Sequence, residues 1–393
     1  MPWKETSTMD QRIAFIADHL SGHYTKKDLC MHYGISRPTG DKWIKRYHHH
    51  GPEGLYERSR RPHHHPDTTA PGIAQRIVET KLAHQSFGPK KVMDLLRALE
   101  PNHPWPADST AADILKRNGL VKPRRKRRRV PPHPHALVTC SAPGQSWSAD
   151  FKGDFRLGNG QRCYPLTLTD NHSRFILQCR ALSCMTTGAV KPWFEWVFRE
   201  YGLPDTLRTD NGAPFASLAA GGLSQLSKWW VRLGIRPERI RPATPSENGR
   251  HERMHRTLKE AVINPAARSF AAQQRRFDAF VEEFNWQRSH EALGRLTPGR
   301  VHHVSPRPYP AKLPEVEYDA GVTVRRVRRS GEFKWRGRLI YLSQVLAKEP
   351  IALIACDNDS WEIRYSFHLL GVLDDRSHTI THARQWHQRE PTV

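Results

Sequence analysis

Seven of the eight residues from Lys122 to Arg129 (KPRRKRRR) are basic. Such a block repels itself and stays extended without a polyanionic partner. Pro131-Pro132-His133-Pro134-His135 follows directly, and proline there removes amide donors and keeps its predecessors out of helix. No packed core can run through this stretch, so the chain must fold separately on either side of it. Its 393 residues give room for two to four domains. The expected division is 1–62 and 63–121 as two helical units, 122–139 as a basic linker, 140–305 as a larger core and 316–375 as a small terminal domain.

The charge excess is +23, with 62 Lys and Arg against 39 Asp and Glu. An excess of this size points to a polyanion, most often nucleic acid. Residues 1–129 alone hold 25 basic against 13 acidic side chains. No apolar run reaches membrane-spanning length, and MPWKETSTMDQR lacks the apolar stretch of a secretory signal. The six cysteines form no C-x-x-C pair, which argues against a disulfide framework or a zinc finger. A cytoplasmic protein with reduced thiols and no membrane contact is expected.

Before the linker, Ile13, Ile16 and Leu20 form a helical stripe, Thr25 can cap a second helix that stops at Gly34, and Ser36 can cap a third through Trp43 and Ile44. The exposed face of that third helix would carry Arg37, Asp41, Lys42, Lys45 and Arg46, as suits a helix lying in a major groove. A second trio follows: a helix with Ile73, Ile77, Val78 and Leu82, one from Lys90 to Leu99, and one from about Ser109 to Asn118. Two such units in tandem favour DNA over a plain bundle with a solvated charged face. Consecutive histidines on a helix diverge, so His48–His50 cannot converge on one ion; His63–His65 are likewise read as solvated or phosphate-facing.

From residue 145 the pattern becomes three successive antiparallel strands, Trp147–Phe151, Tyr164–Thr169 and Arg174–Leu182. They are followed by alternating helices and strands, which describes a mixed α/β sheet layered with helices. The tail from Val316 to Asp374 reads as short strands near Val322, Phe333, Leu339, Ile351 and Trp361, the spacing of a small β-barrel. Its Arg325, Arg326, Arg328 and Arg329 form a patch suited to a phosphate backbone.

Cutting or joining phosphodiesters needs charge neutralisation at the phosphate and an activated oxygen nucleophile, which two divalent ions held by carboxylates can supply. Asp150 lies on a strand, pointing away from Trp147, Ala149 and Phe151. Asp210 ends another strand at an Asp-Asn-Gly turn. The third acid must come from the helix after Pro242–Gly249, where Glu247 and Glu252 compete; about 140° of helix rotation separates them, so only one can face the site. Glu252 shares its stripe with Arg256 and Lys259, cations able to hold phosphates beside the metals, and is preferred.

Trp147-x-x-Asp150-Phe151, Thr209-Asp210-Asn211-Gly212 and Pro245-x-x-Asn248-Gly249-x-x-Glu252, followed by Arg256-Thr257-Leu258-Lys259, together resemble the Asp-Asp-Glu signature of bacterial insertion-sequence transposases with a retroviral-integrase-like core. Phe284–Gly294 with Thr297-Pro298 resembles the segment that follows that core in these transposases. The resemblance implies a multidomain α and α/β fold: a tandem helix-turn-helix arm, an RNase H-like mixed-sheet core and the small barrel. It further implies two Mg²⁺ ions, with Mn²⁺ as a substitute, on Asp150, Asp210 and Glu252. Such enzymes cut double-stranded DNA at element ends and join the freed 3′-hydroxyl to target DNA, as dimers or larger oligomers. Arg37, Lys42, Lys45, Arg46, the linker residues Arg124, Arg125, Lys126, Arg127, Arg128 and Arg129, and Arg256 and Lys259 would bind the DNA. Between Asp210 and Glu252 lie 41 residues, more than integrase-like cores commonly place there, and the Ala213–Gly222 loop accounts for the surplus as an insertion; spacing alone favours Glu247. A catalytically silent DNA-binding regulator and a nuclease without joining activity are the competing readings. Asp154 is a lesser rival to Asp150, and Asp170 is read as structural.

Overall fold

The computed structural model describes residues 7–59, 68–121, 140–240, 249–356 and 359–383. They belong to two compact units, Met1–Thr68 and Thr69–Val393. Among the described residues no helix is long and apolar enough to cross a membrane.

The first unit holds α1 (Thr8–Leu20), α2 (Lys26–His32) and α3 (Arg37–His50). Ser7, Thr25 and Ser36 cap them by accepting from the amides of Asp10, Asp28 and Thr39, each cap contributing about 1 kcal/mol. The core is Phe15, Ile16, Leu29, Cys30, Trp43, Ile44 and Leu55. The expected α1 stripe is therefore displaced: Ile13 and Leu20 are half exposed, because the larger Phe15 takes the inward position. Gly40 lies inside α3, where an added Cβ would sit 2.6 Å from the Cys30 sulfur; its missing side chain lets α3 cross α2 closely. Arg37, Lys42 and Lys45 are exposed and Arg46 is half-buried, with Arg12, Lys42 and Arg46 gathered over the Trp43 ring.

The second unit begins with α4 (Pro71–Ala83), α5 (Pro89–Leu99) and α6 (Asp108–Arg117), packed around Ile77, Phe87, Val92, Met93, Leu96, Ala111 and Leu115. Its sheet comprises β1 (Ser146–Phe151), β2 (Phe155–Arg156), β3 (Arg162–Asp170), β4 (Ile176–Leu182), β5 (Thr206–Thr209) and β6 (Arg236–Arg239). The order is β4-β3-β1-β5-β6, with β2 also paired to β3. Pairing is antiparallel for β3 with β1 and β4, and parallel for β5 with β1 and β6. Arg174, expected in a strand, instead turns the chain at φ 66°.

Alternation along the strands builds two cores. Trp147, Ala149, Leu166 and Leu168 pack with α7 (Thr187–Tyr201) and α8 (Gln225–Arg232). Cys163, Ile176 and Cys179 pack with α9 (Gly249–Leu258) and α10 (Phe270–Glu282). Helices α9 and α10 each continue into a π-helical turn, Lys259–Ile263 and Glu283–Gln287, and the short α11 (Pro298–Val301) follows.

The tail forms β7 (Thr323–Arg326), β8 (Glu332–Trp335), β9 (Arg338–Tyr341), β10 (Pro350–Cys356), β11 (Ser360–Tyr365), β12 (His368–Asp374) and β13 (Ile380–His382). The small-barrel expectation takes the form of an antiparallel sheet, β13-β12-β11-β10-β7, with a β8–β9 hairpin over one shared core. Strands β12 and β13 were not anticipated, since Leu369–Leu373 does not alternate and contains Gly371. The surplus Ala213–Gly222 loop is the mount for this sheet. Ala220 and Leu223 join its core, His368 Nε2 bonds the Gly221 carbonyl at 3.0 Å, and Glu349 meets Lys228 of α8 at 3.2 Å.

Gly221 has φ +61°, and an added Cβ would stand 2.9 Å from the Leu369 carbonyl oxygen. Gly119, at φ +69°, has nothing within 4 Å of such a Cβ. Gly221→Ala should cost about 1–3 kcal/mol in urea unfolding, clearly more than Gly119→Ala; equal costs would show that the loop does not anchor the sheet.

Candidate active site

Parallel strands bring their carboxyl ends to the same edge of a sheet, and β1 and β5 do so in a fixed register. Ser146 lies opposite Thr206, Trp147 opposite Leu207 and Ser148 opposite Arg208. Continuing that register by two residues sets Asp150 opposite Asp210, about 4.8 Å away in backbone spacing. Asp150 has the parity of Ser148, so it faces away from the Trp147 core. The Asp-Asn-Gly turn then fixes Asp210: its carboxylate accepts from the Gly212 amide at 3.1 Å, and Asn211 donates to the Ile240 carbonyl at 2.7 Å.

Helix α9 covers the face on which Asp150 lies. His251, Met254, His255 and Leu258 are its buried side, whereas Glu252, Arg256 and Lys259 are exposed together. Glu252 is near enough for its charge to act on Asp150. Glu247 lies outside the described residues, as do Arg124, Arg125, Lys126, Arg127, Arg128 and Arg129. Arg37, Lys42, Lys45 and Arg46 belong to the first compact unit. Asp154 pairs with Arg162 at 3.2 Å. The Asp170 carboxylate is taken up by the amides of Gly144, His172 and Ser173 and by the Ser173 hydroxyl.

The sequence reading passed over His251 and His255. Their i, i+4 spacing beside Glu252 was the available signal, since it puts both rings on one helix face. Both Nε2 atoms lie 2.7 Å from the Thr167 hydroxyl oxygen, while that hydroxyl donates to the Asp150 carbonyl at 3.0 Å. One hydroxyl has one proton to give, so both imidazoles must donate from Nε2. His251 Nδ1 meets the Thr169 hydroxyl at 3.1 Å, and His255 Nδ1 stands 3.9 Å from the Asp150 carboxylate. Ligand atoms of Asp150, His251 and His255 lie within 4.8 Å of one another. Coordination through either His251 nitrogen would give up its hydrogen bond to Thr167 or to Thr169, so the pair is better read as a scaffold beneath Asp150 than as a metal cage.

Burial drives both imidazoles to their neutral form, His251 down to about 3 and His255 lower. They therefore bring no positive charge to the acid. Burial, and then the charges of Asp210 and Glu252, push the Asp150 carboxyl up to about 7 against the opposing pull of the Phe151 amide and Lys152. The charges of Asp210 and Glu252 thus reach Asp150, and carboxylate oxygens are the donors that divalent cations favour.

The family pattern described as an integrase core domain matches residues 141–245, and a second of the same description matches 233–298. A helix-turn-helix domain matches 11–63 and a homeodomain-like domain 39–115. An uncharacterized 39.2 kDa protein of insertion element IS476 from Xanthomonas euvesicatoria is 27% identical over 237 residues, covering 60% of this chain and 66% of the relative. An uncharacterized 31.7 kDa protein of IS407 from Burkholderia multivorans is 27% identical over 237 residues, covering 59% and 81%. Among solved structures, the HTLV-2 integrase catalytic core domain in complex with magnesium aligns with a TM-score of 0.34 at 15% identity, over 42% of this chain and 99% of that one.

The raised Asp150 carboxyl has a consequence for stability. Between about pH 4 and pH 7 the folded chain retains a proton that the unfolded chain has released, so this group's contribution falls as pH rises through that window and levels off above it. Without divalent metal, Asp150→Asn should be the more stable protein at pH 8, by on the order of 4 kcal/mol at about 1.4 kcal/mol per tenfold change in proton affinity. The gap should close near pH 4; a gap independent of pH in urea unfolding would contradict the assignment.

Proposed function

Since the chain belongs to the bacterial insertion-element transposases with an integrase-like core and helix-turn-helix domains, we propose that it cuts DNA at the ends of its element and joins them to target DNA by direct transesterification. The observation that supports this reading is the parallel β1–β5 register, whose continuation by two residues sets Asp150 beside Asp210, with the charges of Asp210 and Glu252 acting on Asp150. Asp150, Asp210 and Glu252 would hold two divalent ions, Mg²⁺ or in its place Mn²⁺, which supply charge neutralisation at the scissile phosphate and activation of the attacking oxygen.

The chain's own residues do the rest. Thr167 holds the Asp150 backbone through its hydroxyl, and the two neutral imidazoles hold Thr167. Arg256 and Lys259, exposed one and two turns beyond Glu252 on α9 and its π-helical extension, bind phosphates flanking the reacting one. Residues 1–62 and 63–121 recognise the element ends, with Arg37, Lys42, Lys45 and Arg46 reaching one DNA groove. The linker 122–139 tracks the backbone through Arg124, Arg125, Lys126, Arg127, Arg128 and Arg129. The core 140–305 carries the chemistry, and 316–375 adds a further grip through exposed arginines. Joining two ends to one target calls for at least two copies on DNA, working where the chromosome lies, in the cytoplasm.

Asp150→Ala, Asp210→Ala and Glu252→Ala should each lower strand cleavage and strand transfer on an element-end duplex by about a thousandfold or more, with duplex affinity retained. Glu247→Ala should stay active. Activity in Glu252→Ala with none in Glu247→Ala would move the third acid to Glu247. Nicking without transfer would make the protein a nuclease, and neither activity in the wild type would leave a DNA-binding regulator.

A further inference from the structure

A cleft of about 710 Å³ opens between α5, the β3–β4 turn, α9 and the segment after α10, and none of the three proposed catalytic carboxylates lines it. Lys91, Arg174, Arg250, Arg253, Arg256 and Arg288 contribute to its walls. The acids on those walls are already committed. Asp94 pairs with Arg295 and accepts from the Ser289 hydroxyl, Glu291 pairs with Lys90 at 3.2 Å, and Asp170 is filled by its own turn. The cleft therefore presents a surplus of positive charge without a matching anion.

Two atoms sharpen the point. Arg174 Nε and His290 Nε2 are buried and lack a hydrogen-bond partner, and both residues line this cleft. An unmet buried polar atom is destabilising, and a bound ligand that pairs with it would recover that loss. The crowding of cations acts in the same direction: burial and Arg288 bring Lys91 down to about 8, and burial, Arg250 and Arg253 lower Arg174. Arg250 is meanwhile aimed by its bond to the Asn171 carbonyl at 2.8 Å.

We infer that this cleft binds a phosphate group, with Arg174, His290, Arg250 and Arg253 as its donors. Arginine suits the task because its planar fork offers paired donors to phosphate oxygens. The favoured source is a backbone phosphate of DNA lying on the core, and that choice rests on the proposed function; a free polyphosphate would present the same chemistry. A phosphate here would bridge the α4–α6 bundle to α9, the helix that carries Glu252.

The test uses the full chain without divalent metal, so it is independent of whether strands are cut. Arg174→Gln, the exposed Arg253→Gln, the charge-keeping Arg174→Lys and, as a remote control, Arg199→Gln on α7 are compared with wild type. Two probes are titrated: an element-end DNA duplex over a range of salt, and inorganic tripolyphosphate. If DNA supplies the phosphate, the log–log salt slope of affinity should fall by about one in each cleft glutamine variant and hold in Arg174→Lys and Arg199→Gln. If a free polyphosphate is the ligand, tripolyphosphate should bind wild type, weaken at least tenfold in both cleft variants, and leave the DNA slope unchanged. Unchanged behaviour of both probes in both cleft variants, or an equal loss in Arg199→Gln, overturns the inference.

Discussion

Parallel pairing of β1 with β5 puts Asp150 and Asp210 on neighbouring strand ends, and like charges at that separation repel strongly wherever water is excluded. The surrounding structure is arranged around that repulsion. One face of β1 carries Trp147 and Ala149 into an apolar core that fixes the strand. The other carries Ser148 and Asp150 beneath α9, where polar groups are tied to one another: Ser148 to Asn171 at 2.7 Å, and Thr167 to the two imidazoles. Those imidazoles are neutral, so the network positions the acid without neutralising it.

The same logic explains where the chain spends its other ion pairs. The segment after α10, whose pattern resembled the trailing block of known transposases, joins the α4–α6 bundle to the core. Arg295 bridges Asp94 and Asp108, His84 meets Glu283 at 3.1 Å, and Arg288 reaches Ser86 while lying over the rings of Phe87 and Phe284. Lys91 donates to the Ser289 carbonyl. The bundle, which the sequence separates from the core by a basic linker, is thereby docked on the same unit as the carboxylates.

Much of this was legible because it rests on local rules. Hydroxyl caps located α2 and α3, alternation located β1 and β3, and the Asp-Asn-Gly turn located the end of β5. The burial of Phe15 in place of Ile13 and Leu20 was not legible, because a stripe cannot say which of two adjacent faces the larger side chain will claim. Strand β12 escaped because a buried strand loses alternation. His251 and His255 were not legible, because their role depends on Thr167, a residue more than eighty positions away. Spacing alone suggests an insertion at Ala213–Gly222, whereas the contacts of that loop with the C-terminal sheet exist only in three dimensions.

The proposal at stake is that Asp150 and Asp210 at the sheet edge and Glu252 on α9 would together hold a pair of divalent ions against DNA. Calorimetric titration of Mn²⁺ into the full chain bound to an element-end duplex tests it most directly. The account predicts two ions per chain in the wild type and loss of at least one in Asp210→Asn with DNA still bound. One ion or none in the wild type, or an unchanged count in Asp210→Asn, would contradict it.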